Sequence, residues 1–191
     1  LGDAKDSDRF RSFAIAFLKE AKEDIETAED ILENKRYSRA VYFCQQCVEK
    51  SVKALLEMEK VFVEEHDLST FFVKFVCNNK EYDLFKKEID IIRESLIYFK
   101  EEWSKTRYPK EKAGEVVTPS EFYEETDATS AIEKAKEVLI LIEKILDKKF
   151  RLKIYVKSSD KNKNVKMTEA EKNKNEEIDN RIGNKEEKRE E

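Results

Sequence analysis

Chain breakers are scarce in this sequence. Its 191 residues hold three glycines and two prolines. That excludes a protein of many tight turns and short strands and leaves long helices as the expectation. The three cysteines cannot all pair. A fully paired disulfide framework is therefore excluded, and a reducing cytoplasm is the expected setting. No stretch approaches the ~18 consecutive apolar residues of a membrane span. The opening LGDAKDSDRF has no basic stretch followed by an apolar one, so no secretory signal is expected there. Histidine and tryptophan occur once each, as His66 and Trp103. No P-loop, glycine-rich phosphate motif or Ser-His-Asp set is present, and no cofactor is expected.

Charge, by contrast, is abundant. Charged residues make up 42% of the chain, 38 basic against 43 acidic, for a net charge of -5. No global field draws in nucleic acid, although a local patch is allowed. The high lysine and glutamate content is compatible with a thermophilic source. The length suits one domain and a tail. Residues 1–150 carry the helical pattern. Residues 151–191 change character: RLKIYV at 151–156 alternates weakly, and from Lys157 on only Val165, Met167, Ala170, Ile178 and Ile182 are apolar. So polar a tail cannot offset its ordering entropy, and it is expected to be disordered or a marginal exposed helix.

Arg36–Lys60 organises the rest. Tyr37, Val41, Cys44, Val48, Val52 and Leu55 recur at steps of three and four, the wide apolar stripe of a central helix. Gln46, Glu49 and Lys53 line its far, solvated side, and Glu49–Lys53 reads as an exposed pair worth ~0.3 kcal/mol. A first helix is expected from about Asp8 to Leu32, buried through Phe10, Phe13, Phe17, Ala21, Ile25 and Ala28. A third runs from about Glu81 to Ser104, buried through Leu84, Phe85, Ile89, Ile92, Leu96, Phe99 and Trp103. A last one spans about Thr126 to Lys149, after a helix start at Thr118-Pro119-Ser120-Glu121. His66-Asp67-Leu68-Ser69 marks a turn or short extra helix between the second and third. Four long helices on short connections give an all-α, up-and-down four-helix bundle. Pro109 takes the chain out of the third helix, and residues 105–118 are expected to form the longest loop.

That topology sets the Asn34–Arg36 turn and the 105–118 loop at one end. Arg36, Tyr37, Arg39, Lys105, Arg107, Tyr108 and Lys110 are expected to gather there, where arginine forks hold phosphate and aromatic rings stack on a base. The alternative is that Arg107 only caps carbonyls at the helix end and pairs with Glu101 or Glu111. His66 is expected at the opposite end. Cys44-x-x-Cys47 has zinc spacing, with Cys77 and His66 to complete a set, but its mid-helix place favours small buried thiols, and no metal site is expected.

Tyr37, Ala40, Phe43, Gln46, Glu49, Lys50, Lys53, Ala54 and Leu55 fit Y-x-x-A-x-F-x-x-Q-x-x-E-K-x-x-K-A-L. That pattern resembles the signature helix of HEPN domains. Ala21-x-x-Asp24-Ile25-x-x-Ala28 is similar to the family's opening, His66-Asp67-Leu68 to its H-D-L turn, and Arg107-Tyr108-Pro109 to the R-Y-P before its last helix. The resemblance implies a helical bundle, a homodimer, and nucleotide or RNA association, often beside a nucleotidyltransferase in a toxin–antitoxin-like module. Many members are metal-independent ribonucleases that use an arginine followed after four to six residues by histidine. Here Glu111, Lys112 and Ala113 stand at that spacing from Arg107. Binding is therefore carried over to Arg107 and Tyr108, and cleavage is not. The expected function is a non-catalytic nucleotide- or RNA-binding or partner-docking module. A ribonuclease toxin with an unusual site and a purely structural dimer are the alternatives.

Overall fold

The computed structural model describes residues 2–152, with side chains from Asp8 onward. The tail expected at 157–191, and most of the extended stretch expected at 151–156, lie outside the described residues. Four long helices dominate: α1 (Gly2–Glu33), α2 (Tyr37–Met58), α4 (Lys86–Lys105) and α6 (Glu125–Phe150). Between α2 and α4 the chain forms the single turn α3 (Ser69–Phe72), a π-helical turn at Val73–Cys77 and a 3-10 turn at Lys80–Phe85. The all-α, up-and-down bundle read from the sequence is the one found. No described helix is long and apolar enough to cross a membrane.

α2 is the central element and packs against α1, α4 and α6. Val41, Val52, Leu55 and Leu56 are fully enclosed, each contributing about 1.5–3 kcal/mol by leaving water. The α1 stripe differs from the expected one. Ala14, Leu18, Ala21, Ile25 and Ala28 are buried, whereas Phe13 is 40% exposed and Phe10 and Phe17 are only half-buried. Alanine every seventh residue lets two helix backbones approach closely, and a phenylalanine at those positions would hold them apart. Cys44 and Cys47 are both fully buried. Burial pushes the Cys47 thiol up to about 12 and the Cys44 thiol higher still. They are packed core thiols, and among the described residues no group of three or more potential ligands gathers round a metal position.

Leu84 also departs from expectation, lying 91% exposed instead of on the buried face. The cause is the 3-10 turn at Lys80–Phe85. With three residues per turn, Tyr82 and Phe85 share the inward side and Leu84 faces out. The buried Tyr82 hydroxyl donates to Glu59 at 2.6 Å. Lys149 of α6 reaches Glu59 at 3.0 Å and Glu81 at 2.7 Å, tying three elements at this end.

Helix ends show how a chain poor in glycine turns. Lys35, Lys60 and Arg151 all adopt left-handed backbone, with φ of 56°, 60° and 51°. They follow α1, α2 and α6, at the position glycine most often fills. The next residue then bonds back: Arg36 N–H to Ile31 C=O at 3.3 Å, Val61 to Leu56 at 2.9 Å, Leu152 to Leu146 at 3.1 Å. At the α6 start, the Glu124 and Asp127 side chains form a reciprocal capping box.

The expected loop at 105–118 is in part a β-hairpin. β1 (Lys110–Lys112) and β2 (Glu115–Val117) pair antiparallel, Lys110 with Val117 and Lys112 with Glu115. Ala113 (φ 54°) and Gly114 (φ 86°) make the two-residue turn. Such a turn needs positive φ at both positions, and Asn-Gly fills it better than Ala-Gly. Thr118 and Glu121 then cap α5 (Pro119–Phe122) in the box expected from the sequence. Left-handed backbone at an alanine costs about 1 kcal/mol. Ala113→Asn is therefore expected to raise the unfolding free energy by about 0.5–1 kcal/mol, read by urea denaturation. An unchanged or lower value would rule out strain at this turn.

Candidate functional site

α4 ends at Lys105, where the chain turns toward Pro109 and carries Arg107 back over the helix. Arg107 Nη1 donates to the Trp103 carbonyl at 2.7 Å and to Thr106 Oγ1 at 3.3 Å. Nη2 donates to Gln45 Oε1 of α2 at 3.0 Å. Its guanidinium carbon lies 4.5 Å from the Tyr42 ring centroid and 4.8 Å from that of Trp103. Arg107 thus does cap a helix carbonyl, as one reading of the sequence held, but its second partner is Gln45 and not Glu101 or Glu111.

From Gln45 the contacts continue along α2. Gln45 Nε2 donates to Glu49 Oε2 at 3.0 Å, and Gln46 Nε2 donates to Gln45 Oε1 at 2.8 Å. Glu49 is buried, with 7% of its side chain exposed, and meets Lys53 Nζ at 3.1 Å. The pair read as exposed is enclosed. The segment after α2 covers it, placing His66 Nδ1 at 3.0 Å from Glu49 Oε1 and 3.2 Å from Oε2. The His66 side chain itself is 60% exposed.

The expectation that His66 lies at the far end from Arg107 is therefore overturned. The link from Met58 to Leu68 doubles back along α2 to the level of Glu49, nine residues or about 14 Å from the helix end. His66, Glu49, Gln45 and Arg107 form one chain of hydrogen bonds across three segments of the protein.

Beside this chain opens a cleft of about 250 Å³, with His66, Glu49, Gln45, Lys100 and Trp103 among its lining. The imidazole and indole centroids are 6.1 Å apart. Trp103 Nε1 is buried and has no partner. At the rim Lys100 bonds Asp67 at 2.8 Å, and Asp67 also accepts from the Ser69 N–H at 3.1 Å. The Lys100 bond foremost, with help from Ser69, holds the Asp67 carboxyl below its ordinary range.

The other residues singled out from the sequence are spread about the same end. Tyr108 is 55% exposed, its ring 6.2 Å from that of Trp103. Lys105 pairs with Glu102 at 3.0 Å. Glu102 is buried and also accepts the Tyr123 hydroxyl, whose ionisation burial pushes far upward. Tyr37 turns toward α6 and bonds Glu125 at 3.3 Å. Arg36 and Arg39 are exposed at the start of α2, six to nine residues from Gln45, or about 9–14 Å along the helix. Lys110 begins β1. From the sequence, Glu49 and Lys53 read as solvated and Trp103 as core, and Gln45 is not singled out. One signal pointed to them: a run of polar side chains, Gln45, Gln46 and Glu49, within a helix otherwise built for a core.

The HEPN domain family matches residues 14–145. A Methanocaldococcus jannaschii protein named "Putative toxin MJ1304" is 34% identical over 141 residues, covering 74% of this chain and 93% of that one. Two crystal structures share the fold. TT1696 from Thermus thermophilus has a TM-score of 0.56 at 19% identity, covering 69% of this chain and 96% of that one. ST0689, described as an archaeal HEPN homologue, has a TM-score of 0.53 at 24% identity, covering 73% and 98%.

Removing the Glu49 carboxylate leaves Lys53 enclosed without its counter-charge and strips Gln45 and His66 of their acceptor. Loss of one member of a buried pair costs about 3–5 kcal/mol. Glu49→Ala is expected to destabilise the protein by about 3 kcal/mol in chemical denaturation. A change well under 1 kcal/mol would show that Glu49 is not a structural junction.

Proposed function

The chain belongs to the HEPN domain family, and from that premise we propose that it is a toxin-like protein that holds single-stranded RNA in the cleft beside His66 and Trp103. The observation that carries this reading is the cleft itself. Its Trp103 wall offers a surface on which a base stacks, at about 1–3 kcal/mol per base. Its rim carries Lys100, and the buried Gln45 and Glu49 fix polar groups at its back. The net charge of -5 supplies no long-range attraction, so affinity in this reading comes from the cleft and not from a basic surface. Arg107 contributes by holding Trp103 and Gln45 in place, and Tyr108 by extending the aromatic surface. The homodimer and the nucleotidyltransferase partner that the family resemblance implies belong to the same proposal. Ile97 on α4 and Ile140 on α6, 51% and 62% exposed, are the apolar side chains such packing would cover.

A second reading, metal-independent cleavage of that RNA, is favoured by one contact. Glu49 as a carboxylate only accepts hydrogen bonds, so a neutral His66 bonded to it carries its hydrogen on Nδ1. Nε2 then bears the lone pair, as a general base for a 2′-hydroxyl requires. In this reading His66, linked to Arg107 through Glu49 and Gln45, serves in place of the arginine-to-histidine spacing absent from the sequence.

Trp103 is the sole tryptophan, so fluorescence excited at the red edge, where tyrosine does not absorb, reports on this cleft alone. Titration with a short single-stranded oligoribonucleotide is expected to quench it. Trp103→Leu is expected to weaken binding of the fluorescein-labelled oligonucleotide, followed by anisotropy, by about 5–150-fold. No quenching and no anisotropy change with wild type would sink the cleft as an RNA site. The same oligonucleotide incubated in chelator decides between the readings. Cleavage by wild type but not by His66→Ala establishes the nuclease, and binding without cleavage leaves a binding module.

A further inference from the structure

We propose that Arg107 is a positioning residue for His66, acting through Gln45 and Glu49 and not on the phosphates of bound RNA; the functional meaning rests on the cleft being an RNA site. The inference starts from what Arg107 already does. Its two terminal nitrogens are engaged by Trp103, Thr106 and Gln45, and its plane is flanked by Tyr42 and Trp103. With both Nη1 hydrogens and one on Nη2 committed, the end-on fork of Nη1 and Nη2 is not open to grip phosphate.

Gln45 passes the constraint on. Its side chain is buried, and its two ends are chemically distinct. Oε1 accepts from Arg107 at 3.0 Å and from Gln46 at 2.8 Å, which leaves Nε2 to donate to Glu49 at 3.0 Å. Turned over, the amide would set its oxygen against a carboxylate and its hydrogens against a guanidinium. Arg107 therefore selects the orientation of the amide.

Glu49 is held from both sides as a result, by Gln45 on Oε2 and by Lys53 at 3.1 Å on Oε1. So held, both its oxygens stay within 3.0 and 3.2 Å of His66 Nδ1. The carboxylate cannot donate, so the neutral ring keeps its hydrogen on Nδ1 and turns a bare Nε2 away from Glu49. A free imidazole prefers the opposite tautomer. The protein inverts that preference, and the inversion depends on a guanidinium at the far end of a three-bond relay.

His66 is the only histidine, so its ring nitrogens can be read in 15N spectra of the uniformly labelled full chain without assignment. In the neutral ring, wild type is expected to show hydrogen on Nδ1. Arg107→Lys, which keeps the charge but loses the fork, and Gln45→Met, which keeps the length but loses the amide, are expected to move the majority to Nε2–H. Lys144→Ala, whose partner is Glu88, is expected to leave the spectrum as in wild type. The proposal is overturned if both site variants retain the wild-type tautomer, or if wild type already carries its hydrogen on Nε2. Where wild type cleaves RNA, Gln45→Met and Arg107→Lys are expected to lower kcat at least tenfold with KM within twofold. A raised KM with unchanged kcat would make Arg107 a ligand of the RNA and overturn its positioning role. Failure of wild type to bind RNA removes the functional reading, and the spectra still decide the coupling.

Discussion

Taking a carboxylate out of water costs several kcal/mol unless its oxygens find donors. Glu49 finds three: Lys53 one helical turn onward, Gln45 one turn back, and His66 from the link that crosses α2. Much of the end of the protein that carries the cleft follows from satisfying that group. The link has to double back along α2 for His66 to reach it. Gln45 has to present its amide hydrogens, which requires acceptor-side partners at its oxygen, and Arg107 is one of them. Arg107 in turn needs the α4 end to stop where it does, and Pro109 accounts for that. A single buried charge thus coordinates α2, the α2–α3 link and the α4 terminus. Apolar packing holds the same helices together but does not specify their polar register.

The chain ends its helices α1, α2 and α6 without glycine. Lysine, lysine and arginine occupy the left-handed positions after α1, α2 and α6, and alanine occupies one in the hairpin. Each side chain there adds strain that glycine would avoid. One of these positions also carries a contact between helices. Near the Arg151 turn, Arg11 of α1 donates to the Arg151 carbonyl at 3.1 Å, so the strained residue is also a fastening point between the first and last helices.

The backbone plan was largely legible. Spacing of Val41, Cys44, Val48, Val52 and Leu55 placed α2 to within two residues, and Thr118-Pro119-Ser120-Glu121 marked the capping box of α5 because that motif is local chemistry. What escaped was whatever depends on chain crossing. No periodicity in Val61–Leu68 says which way an irregular link runs, so His66 was put at the wrong end. Glu49 read as solvated because helical spacing gives its face on α2 but not what lies over that face. Leu84 misled for a narrower reason: a step of 3.0 residues per turn replaced 3.6 for six residues, long enough to rotate one side chain out of the core. Arg107 and Tyr108 were singled out by motif, while Trp103, with its ring beside both, read only as core.

The fastening of both cleft walls to one carboxylate bears on how fast any ligand comes and goes. Since His66 and, through Gln45 and Arg107, Trp103 are braced from the same point, the walls do not part independently. A cavity already shaped before its guest arrives demands little ordering on entry. For the RNA proposed above, discrimination between one guest and another would then fall on the residence time, and the gatekeeping would belong to departure.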